Sequence, residues 1–565
     1  MKFSLFPAFA LSLILGTVAF GGSATWNLNP TTGDWSTAAN WTPATVPNGS
    51  ADIATFGVSN APATSIVFPP VEVDSIVFNP GGSPFSITVG DNFGSVVSQL
   101  TLSGGGVVNN SGIVQQFFAM PTMERENDPD NVVIFEGGAT AGSLTQFTAM
   151  GSSNAFAQLG GEIRFAGNAS AGFGNFVNAT GTNGGYGGAT RFLESSTAGN
   201  GTFTNKASSS STDFSGVVFF SDTSNAGTGT FTNEANLAGD IGIPVITFIA
   251  SSSAANGNFV SMGGTTSGAG GGRINFFGNA TASNATVTIN GGSNGGAGAV
   301  LAFFDSSLGG TAQAKVFGNG SLSISDHLSP GVTIGSLEGD GQVVLGEQNL
   351  SVGSNNLNTT FSGVIEDGDF GSGGGSLTKI GTGKLILTGA NTYTGGTAVN
   401  GGILLVNNRN GSGLGAGPVL AFNGTLGGVG TIAGDVTMGS GQGGDANLEP
   451  GRNAVTPGTL TLRNQLIFKV DSTYRVTVNS STPAADNVTA RGVRIDAAQI
   501  VFRDSRRDMV ALGTVFTLIS NKSANPINGT FANLPDGSTI TVGSNNFHAN
   551  YEGGDGNDLT LTVVQ

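Results

Sequence analysis

Seven apolar triplets recur at nearly constant spacing through the middle of the chain, and no other feature limits its fold as tightly. They are Val133-Ile134-Phe135, Ile163-Arg164-Phe165, Thr190-Arg191-Phe192, Val217-Val218-Phe219, Ile246-Thr247-Phe248, Ile274-Asn275-Phe276 and Leu301-Ala302-Phe303, their Phe residues 30, 27, 27, 29, 28 and 27 positions apart. A second apolar residue follows 11 or 12 positions later, at Phe147, Phe176, Phe203, Phe231, Phe259 and Val287, and the seventh unit lacks this second Phe. The outer residues of a triplet share one face and the middle residue takes the other, the pattern of a strand with one buried side. On this reading Phe219 belongs to the inward set. Small polar segments such as Ser195-Ser196-Thr197-Ala198-Gly199-Asn200-Gly201 separate the strands and supply turn chemistry. Two short strands per roughly 28 residues, with no helix-length segment between them, describe a parallel β-solenoid. Stacking would then place Phe over Phe at about 4.8 Å, and Asn178, Asn205 and Asn233 in a matching ladder of side chains. Filling the chain with such coils gives roughly 19 of them and a rod of about 90 Å.

Length and composition agree with an array. A single core stops growing at about 250–300 residues, and this chain has 565, of which 94 are Gly and only 10% charged. The absence of Cys excludes disulfides, thiolate metal sites and Cys nucleophiles, and His327 and His548 are the only imidazoles. Twenty basic against 36 acidic residues, a net charge of −16, argue against a nucleic-acid partner, because phosphate binding needs Lys and Arg to displace counterions. Lys2, the apolar run over residues 3–18 and the small residues around Ala19, Gly21, Gly22 and Ala24 read as a secretory signal peptide. No later run reaches the ~20 apolar residues of a spanning helix, so the mature chain is expected to carry no transmembrane segment.

From Ser376 the chain reads Ser-Leu-Thr-Lys-Ile-Gly-Thr-Gly-Lys-Leu-Ile-Leu-Thr-Gly-Ala-Asn-Thr-Tyr-Thr-Gly-Gly-Thr, closing on the apolar segment Ile403-Leu404-Leu405-Val406. This closely resembles the autotransporter-associated β-strand repeat. Gly424-Thr425-Leu426, Glu449-Pro450-Gly451, Pro457-Gly458-Thr459-Leu460 and Gly529-Thr530-Phe531 look like the usual C-terminal part of large secreted bacterial proteins carrying it. Thr25-Trp26, Gly33-Asp34-Trp35 and Ala39-Asn40-Trp41 look like their opening segment. The resemblance implies a right-handed β-helix, all-β, with an N-terminal cap and a C-terminal β capping region, exported to the surface or the medium as a passenger. Residues 410–565 contain two Tyr and no Trp, without the aromatic girdles of a translocator barrel. The expected organisation is a signal peptide at 1–24, a cap and first coils at 25–110, the Phe-repeat solenoid at 111–330, the repeat region at 331–430 and a C-terminal β region at 431–565.

The charged and aromatic groups give no assembled chemistry. Trp26, Trp35 and Trp41 could stack on sugar rings but read as a plug over the open end of the solenoid. Residues 123–130, with Glu124 and Asp128, suit Ca²⁺ or a glycosidase pair but read as a solvated loop. Glu366, Asp367 and Asp369 form a second acidic group, and Asp555 with Asp558 matches one copy of a calcium nonapeptide, read as a turn before the last strand. Arg503-Asp504-Ser505-Arg506-Arg507-Asp508 reads as a hairpin loop. His327, between Asp326 and Leu328, reads as a lone surface side chain and not a triad member. No catalytic, cofactor-binding or metal residues are assigned. The expected function is a secreted or cell-surface, bacterial, adhesin-like scaffold with no catalytic activity, whose partners would be surface glycans or other cell-surface proteins. The alternative is a carbohydrate-active β-helix enzyme, a polysaccharide lyase or hydrolase, or a glycan-binding protein.

Overall fold

The computed structural model describes residues 21–91, 98–123, 131–153, 158–368, 373–453 and 455–565. The apolar leader, Glu124 with Asp128, and Asp369 lie outside these residues. What is described is a parallel β-solenoid. One sheet of 15 strands opens on the antiparallel pair Ala24–Trp26 and Trp41–Thr42, then runs in parallel from Gly49–Phe56 to Val364–Glu366. A second ladder starts at Ala63–Ile66 and continues by parallel pairing through the Phe repeats to Gln499–Asp504. In the Phe-repeat coils the third side is a row of single-residue bridges, Thr140, Ser170, Thr197, Asn225, Ser253, Thr281 and Leu308. From Gly331–Ile334 onward a third sheet of eight strands replaces that row and ends at Val493–Ile495.

The periodic Phe residues form this core as two columns. Phe135, Phe165, Phe192, Phe220, Phe248, Phe276 and Phe303 stack at 4.5–5.1 Å between ring centroids. Phe117, Phe147, Phe176, Phe203, Phe231 and Phe259 form the second column at 4.6–5.2 Å. Within a coil the two columns meet edge to face, as Phe220 meets Phe231 at 5.7 Å, so each ring gains both favoured aromatic geometries. Below Phe259 the second column ends in Val287 and Ala314.

The fourth triplet departs from expectation. Val217–Phe220 pairs so that Arg191 faces Phe219 and Phe192 faces Phe220; the inward residues are Val218 and Phe220, both buried, whereas Phe219 points outward. Arg191 lies 5.5 Å over the Phe219 ring, a cation–π contact that shields an otherwise exposed aromatic. Four consecutive apolar residues satisfy the alternation in either register, and a slip of one residue exchanges the faces.

The Asn ladder forms. Asn178 Nδ2 donates to Asn205 Oδ1 and Asn205 Nδ2 to Asn233 Oδ1, each at 2.8 Å, and Asn233 Nδ2 donates to Ser261 Oγ at 3.2 Å. Each amide also donates to a backbone carbonyl of the first sheet, at Val217, Val245 and Arg273, so the buried polar groups stay satisfied.

The ends are closed differently. Trp26, Trp35 and Trp41 are buried against Phe56 in tilted and edge-on contacts of 4.9–6.0 Å. At the other end a seven-stranded sheet passes from parallel coils into an antiparallel meander of Val515–Asn521, Asp558–Val564, Asn545–Gly553 and Thr539–Val542. No described helix is long and apolar enough to cross a membrane.

A candidate recognition groove on the Phe-repeat coils

Each Phe-repeat coil makes an excursion before it enters the first sheet. In several coils a backbone hydrogen bond closes it at the base, from Gly161 N to Met150 O, Gly188 N to Ala179 O, Gly216 N to Lys206 O, Gly272 N to Met262 O and Ala299 N to Asn290 O, at 2.7–3.0 Å. At Gly188 there is no room for a side chain, because a Cβ would run into the Ala149 carbonyl oxygen. Successive excursions also bond to each other, as Ser152 N to Tyr186 O at 2.8 Å and Gly181 N to Phe214 O at 2.9 Å. They therefore stack into a fin beside the rod.

Between the fin and the outward face of the first sheet lies a groove of about 360 Å³. Its floor is one rung ladder, Ala189, Val217 and Val245, with Glu162 before it and Arg273 after it. Its wall is Tyr186 stacked on Phe214 at 4.8 Å, followed by Ile243. Tyr186 is 38% exposed, whereas Tyr393, Tyr474 and Tyr551 are buried. At one end Glu162 is almost fully buried, and its two oxygens accept from Arg164 Nε at 2.6 Å and Arg191 Nε at 3.0 Å. Both guanidinium groups remain partly exposed, at 27% and 42% of their side-chain surface. The arrangement offers ring edges, an apolar floor and guanidinium donors. Its carboxylate is held between two Arg side chains.

Of these residues the sequence pattern names only Arg164 and Arg191, as triplet centres, and Val217, as an outer triplet residue expected to face inward. The one available signal was Tyr186, an aromatic residue inside Gly184-Gly185-Tyr186-Gly187-Gly188, where turn chemistry alone gives it no purpose.

The residues weighed earlier are scattered. His327 is buried, not on the surface: Nδ1 lies 2.5 Å from Leu328 O and Nε2 lies 2.7 Å from Ser307 O. The carbonyl of Ser307 comes from the preceding coil, 20 residues away, so the burial follows from stacking. His548 is exposed on Asn545–Gly553. Asp367 caps a turn by accepting from Thr394 N and Oγ1 at 3.0 and 2.6 Å. Asp558 is buried and accepts from Asn521 N at 2.8 Å, while Asp555 stays exposed in the hairpin turn before the last strand. The mixed-charge segment from Arg503 is not a hairpin, because Gln499–Asp504 pairs in parallel with Ser472–Asn479 and the chain leaves for another sheet.

Lys379 and Asp486 are further buried ionisable groups outside the groove. Lys379 points into the solenoid, with Nζ 2.5 Å from Ile380 O and 3.3 Å from Gly401 O; burial pulls its pKa down to about 8. Burial pushes Asp486 up to about 6 against the backbone N–H groups of Thr477 and Gly458 that bond to its oxygens.

The fold and groove define a β-solenoid that carries a passenger-type coil. Residues 377–406 match the family described as the passenger-associated transport repeat, which covers the strands Lys384–Leu387, Thr397–Val399 and Ile403–Val406. The chain is 38% identical over 125 residues to the adhesin BmaC autotransporter of Brucella suis biovar 1 (strain 1330), covering 21% of this chain and 3% of that protein. It is 30% identical over 152 residues to an extracellular serine protease of Serratia marcescens, covering 27% and 13%. The match thus spans a small fraction of either relative. The crystal structure of the Haemophilus influenzae Hap adhesin aligns with 91% of this chain and 64% of its own at 11% identity and a TM-score of 0.25. At that score the fold assignment stands on the strand register described above.

Proposed function

We propose that the protein is a secreted or surface-displayed bacterial rod, adhesin-like and without catalytic activity, that recognises a glycan or protein of another surface through the fin-side groove. The observation that carries this reading is the pairing of the exposed Tyr186–Phe214 wall with an apolar floor and a carboxylate already neutralised by two Arg. Aromatic and Arg side chains are the groups that dominate recognition surfaces. The passenger-type coil at 377–406, the similarity to an adhesin and the signal-like leader support export. Glycosidases need two carboxylates flanking the scissile bond, and among the described residues Glu162 is the only acid lining the groove. Among the described residues neither His bonds to a Ser hydroxyl and a carboxylate as a triad requires.

The test is binding of the purified mature chain to a glycan array and to cultured host cells. Tyr186→Ser combined with Phe214→Ser should reduce binding by about tenfold, since stacking partners in such sites contribute on the order of 1–3 kcal/mol, with circular dichroism unchanged. Unaltered binding by the double variant would remove the groove from the account. Release of sugar ends or peptides from a substrate panel would overturn the non-enzymatic reading.

A further inference from the structure

The outward face of the second sheet changes character after the Phe repeats. On the coils between residues 384 and 503 it carries three joined recesses of about 250, 130 and 420 Å³. The first two share Glu449 and Arg503, and the first and third share Arg452. Lys384, Arg409, Arg452, Arg475 and Arg503 line them. A chain with 20 basic and 36 acidic residues therefore gathers a quarter of its cations around recesses whose only lining carboxylate among the described residues is Glu449. Arg503 NH1 lies 3.8 Å from Glu449 Oε1, and Arg475 Nε donates to Asn447 Oδ1 at 2.6 Å. Lys384, Arg409 and Arg452 form no ion pair with any described residue. A further acid, Asp486, is buried beneath Gly451 and spends its oxygens on the N–H groups of Thr477 and Gly458. On the Phe-repeat coils, by contrast, Lys206 pairs with Glu234 and Lys315 with Glu338.

Concentrating like charges without compensating carboxylates destabilises a folded chain, so their placement points to an external counter-charge. The shape narrows its class. The cations ring concave recesses aligned across successive coils, with Ile403 and Leu405 forming part of the floor. A flat bilayer cannot enter such recesses, and a single small anion would engage one of the three.

We propose that this face binds a linear polyanionic polysaccharide along the rod axis, its sulfate, phosphate or carboxylate groups seated against Lys384, Arg452 and Arg409 and its sugar C–H faces against Ile403 and Leu405. The site is separate from the fin-side groove and independent of it. It would hold the rod on an anionic polysaccharide coat while the groove remains open to a partner.

The experiment is affinity chromatography and titration of the full mature chain on heparin, polygalacturonate, double-stranded DNA and phosphatidylglycerol vesicles, over a salt series. Wild type should be retained on one or both polysaccharides at low salt and released as salt rises. Lys384→Gln combined with Arg452→Gln should weaken that binding by about tenfold and lower the slope of log affinity against log salt by about 2, one for each lost anion contact. Lys206→Gln with Lys315→Gln should bind as wild type, and so should the Tyr186→Ser, Phe214→Ser variant, which separates this site from the groove. Flow-through of wild type on both polysaccharides, equal retention of the Lys384→Gln, Arg452→Gln variant, or tighter binding to DNA or vesicles would each overturn the proposal.

Discussion

The Phe-repeat coils and the coils that follow Gly331 build the same solenoid from different parts. In the first region equivalent residues lie 27 or 28 apart, as in the Asn178–Asn205–Asn233 ladder; in the second the spacing is uneven, from 17 residues between Val419 and Val436 to 30 between Val436 and Leu466. The Phe-repeat coil places part of its chain in the fin, and its cross-section is filled by two columns of Phe. The later coils close a third sheet around Leu377, Leu385, Leu404 and Leu426. An aromatic column tolerates a bridge of one residue as the third side, because the rings span the interior. A column of Leu needs three strands to enclose it. The groove belongs to the Phe region because there the residues outside the core bond to one another from coil to coil and stack as the fin.

The sharpest way to break this comparison is to remove one ring. Phe220→Ala should cost about 3–5 kcal/mol in denaturant unfolding, whereas Phe219→Ala should cost about 1 kcal/mol or less, since it loses a surface contact to Arg191. Equal losses would show that the column is not the core. A smaller effect is expected from Asn205→Leu. It leaves the amide of Asn178 and the carbonyl of Asn233 without their ladder partner, at about 1–3 kcal/mol, and a neutral result would reduce the ladder to decoration.

A third prediction separates the regions by pH. Asp486 holds its proton up to about 6 in the folded chain against 3.8 for an unburied Asp. Its contribution to stability is complete below 3.8 and is lost as pH rises through 6. The C-terminal coils should thus melt lower at pH 7 than at pH 4.5 relative to Asp486→Asn, for which that slope disappears. Lys379 acts at the other end: its folded pKa of about 8 lies below 10.5, so stability rises between those values as the buried ammonium loses its proton. Lys379→Met should flatten that rise. Identical pH profiles for wild type and variant would contradict the burial of either group.

Much of the fold was legible because the core repeats. The alternation at Ile163-Arg164-Phe165, repeated at even spacing, was enough to give strand, face and stacking together. The misread triplet shows the limit of alternation alone: Val217-Val218-Phe219-Phe220 fits either face, and the evenness of the spacing, 28 residues from Phe192 to Phe220 and 28 again to Phe248, settles it. The candidate site was hardly legible. Its wall comes from Gly-rich excursions without periodicity, and its ion pair joins Glu162 to Arg191 from the next coil, 29 residues on. The burial of His327 and the gathering of Lys384, Arg452 and Arg503 likewise depend on which coil lies next to which, and local patterning does not record that.

The measurement that tests the register most directly uses the absence of native Cys. Phe219→Cys and Phe220→Cys, made singly, would be treated with a thiol reagent in native buffer and in denaturant. The outward position should label within minutes in native buffer, and short cross-linkers should join it to a second thiol from Arg191→Cys, its register partner. The inward position should label only on unfolding. Native labelling at 220 with protection at 219 would reverse the register and contradict the solenoid described above.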